Sequence, residues 1–548
     1  MSGRFSHLMV APVVLPLLTC ALLVLLGEDK KRLQSLVNLC STLVGLFVAA
    51  QLLRQVAAND GTTLVYLASN WEAPFGIVLV ADRLSALMLV LAGVVSVCAA
   101  LYSEARWSRV GVYFHPLFQI QLMGLNGAFL TGDLFNLFVF FEVMLAASYG
   151  LQLHGSGWPR VKSGLHYIAV NLLASSLFLV GLALLYGVTG TLSMADIAAK
   201  LAAVPALDRG LLHAGAAILA VAFLVKAAIW PVNAWLVPAY TATSAPVAAL
   251  FALMTKVGIY VLVRSWTLFF SDGSPSAHFG GRALLVGGLA TMAFGALGTL
   301  ASLRLGRIAG FSIIVSSGTL LSAFALGIPA VTSAALFYLL SATLGVSALF
   351  LLVELVERSA THAPPPADLE LALELGEDTN LDDQEAPLVG KAFPISRALL
   401  GLTFLTCALL VAGLPPLSGF IAKVSLLRSV LASEAIAQVS AGTTVAAPAW
   451  WFGGLLLFAG FVTTVSFSRS GIRHFWASGE RLAPRIRAVE ALSVLVLIFS
   501  CVLLTVWAEP VLRFTRATAS SLHSPAAYIE AVLSARPRPG PTRAEESP

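Results

Sequence analysis

Apolar runs of about twenty residues recur along nearly the whole chain, separated by short polar or basic breaks. Each run is long enough to cross a bilayer as a helix. The pattern predicts spans at 8–27, 34–57, 84–103, 113–131, 135–154, 164–187, 213–230, 246–270, 284–302, 308–326, 330–355, 397–420, 450–468 and 489–508. The first run is followed at once by the charged stretch EDKKR, the reverse of a signal peptide's order, so it reads as a retained helix. Two runs are interrupted. Pro231 breaks the one that carries Lys226, and Pro415 and Pro416 break the one that precedes Lys423. Ser359–Gly390 is acidic, Pro-rich and aperiodic and reads as a solvated connector. The fold class is therefore an all-α polytopic membrane protein of about fourteen helices.

Composition agrees. The chain is 58% hydrophobic and 11% charged, against about 25% charge in an ordinary soluble domain. Its net charge of +5 needs no nucleic acid. With the N-terminus outside, the inner loops collect Lys30, Lys31, Arg32, Arg106, Arg109, Arg160, Lys162, Arg304, Arg307, Arg358, Lys391, Arg397, Arg469, Arg473, Arg481, Arg485 and Arg487. The outer loops hold only Arg4, Arg54, Arg83, Lys200, Arg209 and Arg282. That bias has the sign expected of cytoplasmic loops, and an even number of spans returns the C-terminus to the outer side. The five cysteines lie within apolar runs and form no CxxC pair, and the histidines are scattered. No metal site, haem pair or nucleotide fingerprint is indicated, so no cofactor is expected and a redox enzyme acting alone is disfavoured.

The candidate chemistry lies in charges that fall inside the spans. Glu142 is nine residues after Asp133, which puts it roughly 13 Å into a core about 30 Å thick. Asp133 itself reads as a helix cap. Lys226 sits five residues before Pro231. Lys256 lies ten residues after Pro246, roughly 15 Å deep. Such charges are costly and mark ion pathways by default. Arg264, nearer the end of its helix, reads as an ordinary snorkelling side chain. The pairing of a proline-broken helix with a nearby lysine returns at Pro415, Pro416 and Lys423, the pointer to a transporter built from repeats.

These residues carry a resemblance. GDLFNLFVFFEVMLAASYGL (132–151), VKAAIWPVNAWLVPAY (225–240), PVAALFALMTKVGIY (246–260) and GLPPLSGFIAK (413–423) resemble the proton-translocating, antiporter-like proteins shared by respiratory complex I and the multisubunit cation/proton antiporters. GDLFNLFVFFE and SPAAYIEAVL (524–533) look most like the D-subunit branch of the Mrp/Pha-type antiporters of bacterial inner membranes. The resemblance implies two inverted five-helix repeats, at 113–270 and 284–470. They would be preceded by three helices (1–112) and followed by a last helix and tail (489–548). It implies that Glu142 pairs with Lys226, that Lys256 is the central relay and that Lys423 ends the relay. Desolvation disfavours a charged lysine and a nearby carboxylate favours it, so movement of Glu142 would load or release a proton.

The chain departs from the family pattern in its second half. ALFYLLSATLGV (335–346) puts Tyr338, Ala342 and Val346 at positions where relatives carry His, His and Lys; RLGRIAGFS (304–312) lacks the usual Asp; and Tyr240 replaces a histidine. A proton route there would need waters and hydroxyls such as Ser312, Ser316, Ser317, Ser341 and Thr343. The resemblance implies a proton/monovalent-cation (Na+ or K+) antiporter subunit working with other membrane subunits. It would be a secondary transporter rather than an enzyme. The alternative is a proton-pumping subunit of a respiratory NADH:quinone oxidoreductase or membrane-bound hydrogenase, without its own redox centre. A third reading is a membrane scaffold whose lysines are relics.

Overall fold

The computed structural model describes residues 6–58, 62–361, 395–431, 446–476 and 486–537. The acidic stretch 359–390, from 362 onward, and most of the basic Pro-rich end lie outside the described residues. The N-terminal unit is α1 (Ala11–Leu25), α2 (Lys31–Ala58), a hairpin of β1 (Leu64–Leu67) with β2 (Val78–Ala81), and α3 (Arg83–Ser103). Next come α4 (Phe114–Leu130), α5 (Leu134–Leu153), α6 (Trp158–Thr189), the short α7 (Met194–Lys200), α8 (Arg209–Lys226), the short α9 (Leu236–Ala242) and α10 (Ala245–Phe269). They are followed by α11 (Gly281–Ala301), α12 (Leu305–Ala325), α13 (Pro329–Thr361), α14 (Ile395–Ala412), α15 (Ser418–Leu431) and α16 (Ala446–Gly471). The chain closes with α17 (Ala488–Val506), α18 (Ala508–His523) and α19 (Ala526–Leu533).

Among the described residues twelve helices are long and apolar enough to cross a membrane. The other two expected spans are α1, with 15 residues, and α4, with 17. The apolar stretch of α10 is wholly buried and that of α13 nearly so, whereas those of α2 and α17 are mostly exposed. The exposed set is rich in Leu, Val and Phe, a surface suited to lipid rather than water. The interior helices α10, α12 and α13 carry buried polar groups, among them Lys256, Ser316 and Ser341, and polar side chains in a bilayer must find partners.

Helix ends follow their capping residues. Asp82 and Ser85 form a reciprocal capping box at the start of α3. The Asp133 carboxylate accepts the Asn136 backbone N–H at 2.8 Å and caps α5, as its sequence position predicts. Beyond Glu509 the sequence reads only as a tail. The structure instead forms α18, which lies against α13 through Ser333–Thr515 and Thr332–His523 hydrogen bonds, and α19.

Candidate functional site

The two proline breaks are built alike. At the end of α8 the Ile229 N–H reaches the Leu224 carbonyl and the Ala228 N–H reaches Val225, with Ala228 at φ 54°. At the end of α14 the Leu414 N–H reaches the Leu409 carbonyl across Gly413, at φ 77°. This is the glycine-type helix stop, with alanine serving at the first break. A non-glycine residue in the left-handed region is a local strain of the kind that concentrates at functional sites. Beyond the first break the Trp230 N–H is taken by the Thr291 hydroxyl of α11 at 2.9 Å. The irregular backbone is thereby satisfied within the protein.

Both lysines at the breaks sit at carbonyl ends of half-helices. Lys226 is the last residue of α8 and is 7% exposed. Lys423 follows its break, yet its ammonium folds back to donate to the Ala412 carbonyl at 2.6 Å and the Val411 carbonyl at 3.4 Å. The negative end of a helix dipole favours a cation at each place. Lys226 is too buried to snorkel, and half-buried Lys423 is held by the carbonyls of α14.

Glu142 accepts a hydrogen bond from the Ser175 hydroxyl of α6. Its carboxyl is thus turned to Ser175, and no direct ion pair joins it to Lys226 among the described residues. The Lys226 ammonium instead stands 5.7 Å from the centre of the Phe141 ring, a cation–π distance. It borders a small cavity with Tyr167, Asn171 and Trp235. Carboxylate and lysine therefore share one site without closing on each other in this conformation.

Lys256, 2% exposed in the middle of α10, donates to the Ser316 hydroxyl of α12 at 2.9 Å. Ser316 and Tyr338 of α13 line a second cavity, whose far wall is Lys423. Tyr338 is buried and its side chain borders this cavity beside Ser316. Ser341 borders the same cavity and bonds Ser418 at the start of α15 at 2.8 Å. Ser312 lines it too, but its hydroxyl donates to Ile308 of its own helix, as Thr343 does to Leu339. Tyr240 is turned elsewhere and donates to the Phe251 carbonyl.

Gly258 lets α10 approach the first break. A Cβ there would lie 2.7 Å from the Ala227 nitrogen. Gly258→Val is expected to force the break off α10 at an overpacking cost of about 1–3 kcal/mol. Cation-dependent proton flux should fall while the protein still assembles, as flux assays normalised to complex content would show.

One expectation fails. Arg264 does not snorkel: it is buried and forms a 2.6 Å ion pair with Asp82. The hairpin before α3 brings Asp82 to Arg264, and Leu522 of α18 and Tyr528 of α19 border the same small cavity. Sequence reasoning misses the pair because its members are 182 positions apart. The only local signal is Asp82 standing just before an apolar run. Ser175 is missed for the same reason, as one hydroxyl among many in α6.

Residues 131–447 match the family described as NADH:quinone oxidoreductase/Mrp antiporter, transmembrane. The chain belongs to this family. Within the antiporter family, it is 50% identical over 545 residues to a protein of Rhizobium meliloti (strain 1021) named as the probable D-type subunit of a K(+)/H(+) antiporter, covering 98% of this chain and 100% of that one. It is 33% identical to the D-type Na(+)/H(+) antiporter subunit of Alkalihalophilus pseudofirmus, covering 96% and 99% of the two chains. Its structure resembles a chain of the Mrp complex from Dietzia sp. DQ12-45-1b, with a TM-score of 0.79, 29% identity and coverage of 97% and 100%. The chain is thus a multi-pass membrane member of the antiporter family, and its relatives are subunits of multisubunit complexes.

Proposed function

We propose that the chain is the proton-translocating subunit of a multisubunit monovalent cation/proton antiporter in a bacterial plasma membrane, with both termini on the outer side. The observation that carries this reading is the series of half-buried Glu142, buried Lys226, Lys256, Ser316 and Tyr338, and half-buried Lys423. It crosses the protein from one proline break to the other with hydroxyls where relatives place histidines. Protons are held on Lys226 when Glu142 swings from Ser175 toward it and are released when it returns. They pass to Lys256, leave through Ser316, and reach Lys423 across the Tyr338 cavity. Near-full-length similarity to subunits named for cation/proton antiport supports this reading over the respiratory pump. Na+ and K+ are both candidate cargo, because the relatives' names divide between them.

The test is to reconstitute the purified complex and follow proton movement under imposed Na+ and K+ gradients. Flux driven by either gradient is expected, and its absence with both sinks the reading. Tyr338→Phe removes only the hydroxyl and is expected to slow that flux by about tenfold or more. Unchanged flux in Tyr338→Phe would remove Tyr338 from the route.

A further inference from the structure

A second polar cavity lies apart from the lysine series, enclosed by α1, α2, α3 and α4. Its polar lining is Ser41, Thr42, Ser96, Gln119 and Asn126, and no charged side chain borders it. Its volume of about 20 Å³ suits one particle the size of a water, which needs roughly 10–15 Å³.

The hydrogen-bond directions around it are one-sided. The Gln119 amide nitrogen donates to the Asn38 backbone carbonyl, the Asn38 side-chain oxygen and the Thr42 hydroxyl. Because one partner is a backbone carbonyl, the amide cannot be turned round, and its oxygen, buried, accepts nothing. The Thr42 hydrogen goes to the Asn38 carbonyl. Thr19 spends its own hydrogen on Leu15, so Ser41 is the donor in the 2.7 Å Thr19–Ser41 bond and keeps its lone pairs. The Asn126 amide nitrogen donates to the Pro12 carbonyl, which Pro16, lacking an N–H, leaves without its helix partner. Ser96, fully buried, has no partner at all. The cavity therefore presents oxygen lone pairs, while the hydrogens of Gln119, Thr42 and Ser41 are committed outside it.

We infer that this cavity binds one desolvated monovalent cation, Na+ or K+, in a shell of neutral oxygens. Such a shell replaces hydration water as rings of carbonyls do in ion filters. A water would find many acceptors for its hydrogens but only the Ser96 hydroxyl and the second Asn126 N–H as donors; an anion would find only those two hydrogens and no cationic side chain. The inference rests on the antiport reading and supplies the cation's place within the same chain, away from the proton series.

Reconstituted complexes carrying Gln119→Leu, Gln119→Glu and Ser96→Ala test it through the cation concentration that half-saturates proton flux. Gln119→Leu is expected to raise that concentration about tenfold for the transported cation, the effect of losing one charge–dipole contact worth about 1.4 kcal/mol. Gln119→Glu is expected to lower it, and Ser96→Ala to raise it more modestly. Should the leucine variant fail to assemble, the serine variant, which removes a single oxygen, decides. Unchanged half-saturation in the assembled variants means the cavity holds water only and overturns the inference. Loss of flux in Lys256→Ala with unchanged half-saturation in the Gln119 variants leaves the antiport reading standing and this site refuted. Absence of flux in the wild-type complex under both gradients refutes the antiport reading itself, whereas intact flux in Lys256→Ala refutes only the lysine relay.

Discussion

Lys256→Ala is expected to reduce cation-driven proton flux by roughly 10²-fold or more, the usual scale for removing a positioned proton-transfer group, without preventing assembly. Lys256 lies in the middle of a helix whose apolar stretch is wholly buried, and among the described residues its hydrogen-bond partner is Ser316. No other amine, carboxyl or imidazole lies in α10 at that depth: the adjacent Thr255 hydroxyl donates to the Ala252 carbonyl, and the Tyr260 hydroxyl one turn on is committed to the Phe129 carbonyl. Lys256→Arg sharpens the test. Arginine keeps the positive charge and the donor to Ser316 but cannot be deprotonated in a protein. If Lys256 relays protons, Lys256→Arg is as inactive as Lys256→Ala. If it is a fixed structural charge, Lys256→Arg transports at the wild-type rate, and that outcome ends the relay. Proton uptake into vesicles containing the assembled complex, measured at matched protein content, reads both.

Much of this arrangement is legible in the chain because bilayer thickness converts sequence distance into depth. Glu142, Lys226 and Lys256 stand out as charges too far from any span end to reach water, and the structure buries both lysines. The breaks are legible because Pro231, Pro415 and Pro416 forbid a continuous helix. What sequence distance does not convey is direction. That the Lys423 ammonium turns back onto the carbonyls of α14, matching the place of Lys226 at the end of α8, depends on a side chain crossing its own break. Nor does spacing say which of many hydroxyls meets Lys256. Ser316 does, while Ser312 and Thr343 bond within their own helices. The C-terminal α18 and α19 escape notice because a search for spans passes over them: α18 is amphipathic with too little apolar content to cross a bilayer, and α19 is apolar but only 8 residues long.

The arginine that looks ordinary in the sequence gives the second large effect, on stability. Arg264→Ala is expected to destabilise the protein by about 3–5 kcal/mol, because it strands the Asp82 carboxylate in a buried site. The loss reaches three parts of the fold at once. Asp82 caps α3 and follows the hairpin, Arg264 belongs to α10, and the guanidinium also lies 5.1 Å from the Tyr528 ring of α19 and 5.7 Å from that of Tyr260. Replacing both partners, Asp82→Asn with Arg264→Met, should recover much of the loss, since no charge is then left alone. The pair also sets a pH dependence. Burial works against the Asp82 charge, but Arg264 and the bonds from Ser85 outweigh it and hold its carboxyl below the ordinary carboxylate range. A carboxyl lowered in the folded state contributes stability that is present above its unfolded value, near 3.9, and is lost as pH falls through its lower folded value. Thermal unfolding of the purified protein should therefore show the wild type losing stability in strong acid, and the double variant losing less of it. A wild-type melting temperature for Arg264→Ala at neutral pH would mean that Asp82 finds water or another partner when Arg264 is gone, and that the buried pair does not hold the hairpin, α10 and α19 together.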